Sequence, residues 1–283
     1  MNRDMGHRAL VLLGSGLVAA WSLGPILWMA IASVTPELRP DDGKPWTSVR
    51  RVEFLPSAPT LQNYADLFEN VRFGTYFLNS AIVAIGTMLV ALVVASLGAY
   101  AFARFRFAGR KPLLVATLMA YMVPSVVLMV PLLVILRSYG LMNTRIGLVA
   151  AEATNTAPFV LLLMTNYFAS LPRDLEEAAQ VDGCGRLGAL VRIVLPLAVP
   201  GLVAGGLFAF IATWNNFLFA FLLSTSDATK TLPVVMRLFA LGEPAVWGVS
   251  AAGALLTTLP VAVLFFLFQR MLISGLAAGA VKG

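Results

Sequence analysis

The chain has 283 residues, of which 59% are hydrophobic and only 12% charged, and it carries a formal net charge of +6. A soluble domain has about 25% charged residues, so a mean hydropathy of +0.85 excludes an ordinary soluble enzyme. The basic surplus is explained by membrane topology rather than by nucleic acid, and a single cysteine, Cys184, with a single histidine, His7, excludes a disulfide framework or a metal cluster.

Six apolar stretches follow one another, at about 9–34, 77–103, 112–136, 146–171, 195–223 and 245–268. Each is long enough to cross a hydrocarbon core as a helix, the form that satisfies its own backbone there. The first is too long for a cleaved signal peptide, and no small-residue cleavage site clearly ends it. The expectation is an all-α, polytopic membrane protein with six transmembrane helices, forming a single transmembrane domain over 1–283.

The loops set the orientation. Arg3 and Arg8 precede the first stretch, and Arg104, Arg106, Arg110 and Lys111 follow the second without any acid. Arg173, Arg186 and Arg192 follow the fourth, and Arg270 and Lys282 lie in the tail. Basic excess in short loops marks the cytoplasmic side, so both termini are expected there. The segment 35–72 is then external, and its acids and bases nearly cancel. Prolines fall inside the stretches at Pro25, Pro124, Pro131, Pro158, Pro200 and Pro260. Each tends to kink a helix, and the pair Pro124 and Pro131 is the better hinge candidate.

Between the fourth and fifth stretches, residues 172–192 mix Asp174, Glu176, Glu177 and Asp182 with Leu175, Ala178, Ala179, Leu187 and Leu190. The pattern predicts two short amphipathic helices broken at Asp182-Gly183, where glycine permits a turn that a side chain would hinder. Glu177 is expected to pair with a base or to cap a helix terminus.

The run Glu177-Ala178-Ala179-Gln180-Val181-Asp182-Gly183, followed nine residues later by Ile193-Val194-Leu195-Pro196, matches the E-A-A-x3-G-x9-I-x-L-P loop of permease subunits from bacterial ABC importers. The resemblance extends further. Leu61-Gln62-Asn63-Tyr64 resembles a T-L-x-N-Y element, and Asn79-Ser80 opens the next helix as in that family. Gly98-Ala99-Tyr100-Ala101-Phe102-Ala103-Arg104 is similar to that helix's end. Trp214-Asn215-Asn216-Phe217 resembles W-N-D-F, with asparagine where aspartate is usual. The ending Gly275 to Gly283 is close to the terminus of maltose-type permeases. Together the matches span about 55–283 and resemble the second permease of a carbohydrate-uptake importer with a type I ABC importer fold.

The resemblance implies a permease of the bacterial inner membrane. Its partners would be a homologous second permease, two ATP-binding subunits, an extracytoplasmic solute-binding protein and a carbohydrate or related solute. No Gly-x4-Gly-Lys-Ser/Thr phosphate loop occurs in the chain, so ATP and Mg would sit on the partner ATPases, with no cofactor here. The chain itself is then not an enzyme. Glu177, Ala178, Ala179, Asp182, Gly183 and Leu187 would couple to the ATPase. Trp214, Asn215, Asn216 and Phe217 offer a sugar both an aromatic face and hydrogen bonds. Glu152 and Asn155 are polar groups within or near the outer part of the fourth stretch and are candidates for the same path, with Glu152 alternatively facing water at the outer interface. The external segment 226–246, with Asp227, Ala228, Thr229 and Lys230 at its start, would reach the binding protein. Two other classes fit the composition: an ion-coupled secondary transporter and a non-transport membrane scaffold. Against the first, the stretches are almost free of charge and show no clear repeat. Within the importers, a non-sugar solute is the alternative.

Overall fold

A computed structural model of the chain describes residues 2–36, 56, 58–241 and 247–280, all helix, turn or coil without a strand among them. Half of the expected external segment 35–72, from 37 to 55, lies outside the described residues, as do Glu243, the start of the sixth stretch at 245, and the final Val281-Lys282-Gly283.

In chain order the helices are α1 (Asn2–Val34), α2 (Gln62–Glu69), α3 (Phe73–Arg104), α4 (Arg110–Met122), α5 (Ser125–Ser138) and α6 (Arg145–Ser170). Then come α7 (Asp174–Val181), α8 (Arg186–Ala189), a π-helical turn (Leu190–Val194), α9 (Leu195–Leu197), α10 (Val199–Trp214) and α11 (Leu218–Leu223). Finally there are α12 (Leu232–Leu241) and α13 (Trp247–Ala280). Among the described residues, four helices are long and apolar enough to cross a membrane unaided: residues Leu10–Val34 of α1, α3, α6, and Trp247–Met271 of α13. The third and fifth apolar stretches are different. The third is α4 and α5, bent by 97°, and the fifth joins Arg186–Leu197 to Val199–Trp214 with a bend of 80°.

The first bend has a local cause. Proline disfavours helical backbone in the residue before it, and Val123, just ahead of Pro124, is extended at φ −66°, ψ 123°. Pro131, by contrast, lies inside α5. Helix α6 starts where Thr144 caps it, the hydroxyl accepting from the Gly147 amide at 3.0 Å.

The chain divides into two compact units, Met1–Gly74 with Val235–Pro260, and Thr75–Val234 with Val261–Gly283. In the first, Asn63 donates through Nδ2 to the carbonyls of Ser33 and Thr35, each at 2.9 Å, and Tyr64 donates to Ser33 Oγ at 2.9 Å. The Asn-Tyr pair noted in sequence thus fastens α2 to the end of α1. In the second unit, α3 turns a stripe of small side chains inward. Ala84, Ala91, Ala95 and Ala99 are fully buried, whereas Leu89, Val90, Val93, Val94 and Leu97 are exposed. Small residues let membrane helices approach closely. Gly86 and Gly98 extend the effect, since a side chain there would run into Val149 and Leu161 of α6.

Candidate functional site

The loop between α6 and α10 is built on acidic residues at a helix start. Asp174, Glu176 and Glu177 all fall in the first turn of α7, where the helix dipole favours negative charge. The helix stops at Asp182, and Gly183 takes φ +88°, a left-handed turn closed by its amide donating to the Gln180 carbonyl at 3.1 Å. Chain direction then resets into α8. The break falls between the two short helices, at Asp182-Gly183.

The acid that pairs is Glu176, the neighbour of the residue expected to do so. The residue is 5% exposed. One carboxylate oxygen accepts from Arg104 Nε and the other from the Tyr100 hydroxyl at 3.1 Å. Arg104 also donates through Nη2 to the Leu171 carbonyl at 3.2 Å, and Arg173 donates to the Ala103 carbonyl at 3.2 Å. The Arg186 guanidinium lies 4.8 Å from the centre of the Phe105 ring, a cation–π contact. These residues, with Glu177 and Gln180, line a cavity of about 210 Å³. A buried carboxylate with both oxygens engaged by a charged and a neutral donor is a fixed joint.

The other coupling candidates point outward. Glu177, Ala178, Asp182 and Gly183 are exposed and Ala179 is half-buried. Val181 and Leu187 are 87% and 69% exposed, and Leu175 is exposed beside them. The loop is therefore clamped on its polar side and leaves an apolar side that no other described residue covers.

A second polar cluster sits at the other end of α3. The Asn143 Oδ1 accepts from the amides of Thr225 and Ser226, each at 3.0 Å, and from Thr229 Oγ1 at 2.6 Å. Asn79 donates through Nδ2 to the carbonyls of Ala228 and Lys230, each at 3.0 Å, while its Oδ1 accepts from Arg145 Nε at 2.9 Å. Ser80 Oγ accepts from the Leu232 amide at 2.8 Å. Asp227 and Ala228 remain exposed, Thr229 is buried, and Lys230 donates to Asp227 at 2.8 Å. That bond to the Asp227 carboxylate pushes the Lys230 amine above its ordinary value. Asn143 itself takes φ +56°, a left-handed position that asparagine tolerates.

The solute-path candidates separate. Trp214 is 2% exposed, stacked on Phe210 at 5.5 Å and met edge-on by Phe77 at 5.5 Å. Phe217 stacks on Phe221 at 5.0 Å. Asn215 is exposed and donates back to the Ile211 carbonyl at 2.9 Å. Asn216 occupies the break between α10 and α11. Its Oδ1 accepts from the Leu218 amide at 2.8 Å, and its Nδ2 donates to Glu152 Oε2 at 3.1 Å. Glu152 is 2% exposed, so it is enclosed by protein and does not face water. Asn155 is half-buried and accepts from Ser125 Oγ at 3.3 Å.

Sequence reasoning missed Glu176 as the paired acid and Asn143 as the anchor of the outer loop. Two adjacent acids on one short helix point to different faces, which is the signal for the first. For the second, an asparagine just ahead of a Thr helix cap is a turn signature.

The family model for the inner membrane component of binding-protein-dependent transport systems matches residues 91–277. The chain belongs to that family. A sulfoquinovosyl glycerol transport system permease protein from Agrobacterium fabrum is 34% identical, over 98% of this chain and 94% of that one. A trehalose transport system permease protein from Mycobacterium tuberculosis is 36% identical, over 94% and 95%. Among solved structures, a chain of a bacterial ABC transporter involved in import of the polysaccharide alginate superposes with a TM-score of 0.78. It is 24% identical, with 95% of this chain and 96% of that one covered. The fold is thus that of an ABC importer permease. The protein is a multi-pass inner membrane component of a transport system that depends on a binding protein.

Proposed function

We propose that this chain is one of two permease subunits in an ATP-driven importer that carries a carbohydrate or related polar solute into the cytoplasm. The observation that carries the reading is the loop of α7 and α8. Its polar side is fixed to α3 through Glu176, and its apolar side, with Leu175, Val181 and Leu187, is left open. Such a surface fits a cleft on a separate ATPase subunit. The sugar is supported by the relatives, which are permeases for sulfoquinovosyl glycerol and for trehalose. Arg104, Arg106, Arg110, Lys111, Arg173, Arg186 and Arg192 fall in short loops, and this basic excess supports a cytoplasmic position for those loops and for both termini.

In this reading, ATP closes a pair of ATPase subunits against α7 and α8 of each permease. The permease pair switches to its outward-facing state and takes solute from the binding protein, which meets the loop at Asp227, Ala228, Thr229 and Lys230. Hydrolysis returns the pair to its inward-facing state. This is alternating access through a two-state element. The solute passes Asn215, Asn216 and Phe217, with Glu152 bonded to Asn216 behind them, Trp214 packed as their support, and Asn155 further along α6 beside Ser125.

The test is to tag the chain, solubilise membranes gently and identify what co-purifies by mass spectrometry. A second six-helix permease and a phosphate-loop ATPase are expected. The chain recovered alone and stable would overturn the reading in favour of a secondary transporter. Gly183→Trp sharpens the test, because a bulky side chain at φ +88° is strained. The variant should stay in the membrane, lose the ATPase and take up no sugar; normal uptake would count against the coupling role.

A further inference from the structure

The two polar clusters described above share one element. At its C-terminal end α3 holds the α7–α8 loop through Tyr100 and Arg104. Near its N-terminal end it holds the 224–232 loop through Asn79 and Ser80. At 1.5 Å per residue the two grips lie about 37 Å apart, more than the ~30 Å hydrocarbon core of a bilayer. Proline lies inside α1 at Pro25, α6 at Pro158 and α13 at Pro260, and the third and fifth stretches are sharply bent. Helix α3 contains no proline. Its inward stripe of alanines and its glycines at Gly86 and Gly98 seat it closely along α6.

Both ends grip backbone as well as side chains. Asn79 binds the carbonyls of Ala228 and Lys230, and Arg104 binds the carbonyl of Leu171. A displacement of either loop is therefore passed to the helix rather than absorbed by a rotating side chain. The geometry points to α3 as a connecting rod: one unbroken helix that ties the loop facing the ATPase to the loop facing the binding protein, so that each loop responds to the state of the other. Tyr100, Arg104, Asn79 and Ser80 are its positioning residues. The inference rests on the assignment of the two loops to those partners, and it adds the route between them. It also requires the coupling to be reciprocal, because nucleotide that shifts the outer loop must be sensitive in turn to what binds there.

The experiment uses the whole assembly, purified with its second permease and ATPase. Cys184→Ser removes the native thiol, and Ala228→Cys places a reporter at an exposed position of the outer loop. The probe is a water-soluble maleimide, applied with and without ATP and vanadate. The labelling rate should change about fivefold or more with nucleotide, as expected of a coupled site. Val93→Gly with Val94→Gly softens the rod at two exposed positions that make no part of either grip. In that variant ATP turnover should persist while the labelling response disappears, and Val93→Ala with Val94→Ala should retain the response. Glu176→Gln, which leaves α3 unaltered, should also abolish the response; if the glycine pair fails to assemble, this variant decides. A response as large as the parent's in the softened or Gln variant, or none in the parent, overturns the rod. An assembly without an ATPase overturns the assignment of the loops as well, which separates the two failures.

Discussion

The loops at the two ends of α3 solve the same mechanical problem with different chemistry. The α7–α8 loop is fixed by a buried ion pair, Arg104 with Glu176, at side-chain exposures of 7% and 6%. The 224–232 loop is fixed by neutral amides and hydroxyls, with its one ion pair, Lys230 with Asp227, left largely in water. A charged joint is strong only while both partners are present, because removing one leaves an unpaired buried charge. A neutral joint fails by smaller steps, each the loss of a hydrogen bond. The first loop is thus built to transmit without slack, and the second is built to hold shape while presenting a short exposed edge.

The most direct way to break this contrast is Glu176→Ala. It leaves the Arg104 guanidinium buried without a counter-charge, and a loss of about 3–5 kcal/mol is expected at that joint. Limited proteolysis between Pro172 and Arg192 would read it as a large rise in cleavage. Arg104→Met with Glu176→Leu should recover much of the resistance, since it removes both charges together.

The contact between Asn216 and Glu152 lies between the two types, a neutral donor on a buried acid. Asn216→Asp keeps the acceptor that caps α11 but replaces the donor with a second carboxyl, and two carboxyls at that spacing cannot both ionise. A loss of about 1–3 kcal/mol is expected, read as a lower unfolding temperature in detergent. Adding Glu152→Gln should restore it. The residue that departs from the usual W-N-D-F pattern is thereby matched to the acid on α6.

Asn143→Ala tests the neutral joint. The Thr225 and Ser226 amides lose their acceptor, and each buried group left unpaired costs about 1–3 kcal/mol. Because the loop edge is partly wet, the lower figure is expected, seen as faster amide exchange over 224–231. The smallest effect belongs to Lys230→Gln, under about 1 kcal/mol for an exposed pair and smaller still at high salt. The Lys230 amine is raised above its ordinary 10.5, so the pair's contribution is complete at neutral pH. It is lost only as the pH climbs through the raised value. Protection factors in the loop, taken against the intrinsic base-catalysed exchange rate at each pH, should therefore be flat between pH 6 and 9.

How far these features were legible depends on their range. The α7–α8 loop was readable because its acids, alanines and Gly183 are contiguous, and its break falls where Gly183 adopts a positive φ. Its partner was not, since Arg104 and Glu176 are 72 residues apart and nothing local in either segment names the other. The apolar stretches were visible by hydropathy, which counts side chains and is blind to direction. It therefore read α4 and α5 as one run, and only Pro124 marked the 97° bend. Trp214 was singled out for its aromatic face, but Phe210 and Phe77 already pack against it. A residue's type fixes what it can bind, whereas burial fixes what reaches it.

The π turn at Leu190–Val194 takes up more residues per turn than the α-helix on either side of it. Each residue gained or lost in a helix rotates everything beyond it by about 100°. This turn therefore clocks the assembly: it sets the heading of Leu187 and the outward apolar face relative to Gly205 and Gly206 on α10, which pack on Leu92 of α3. Removing one residue from it would leave both flanking helices well formed and aim the docking face about a quarter-turn away.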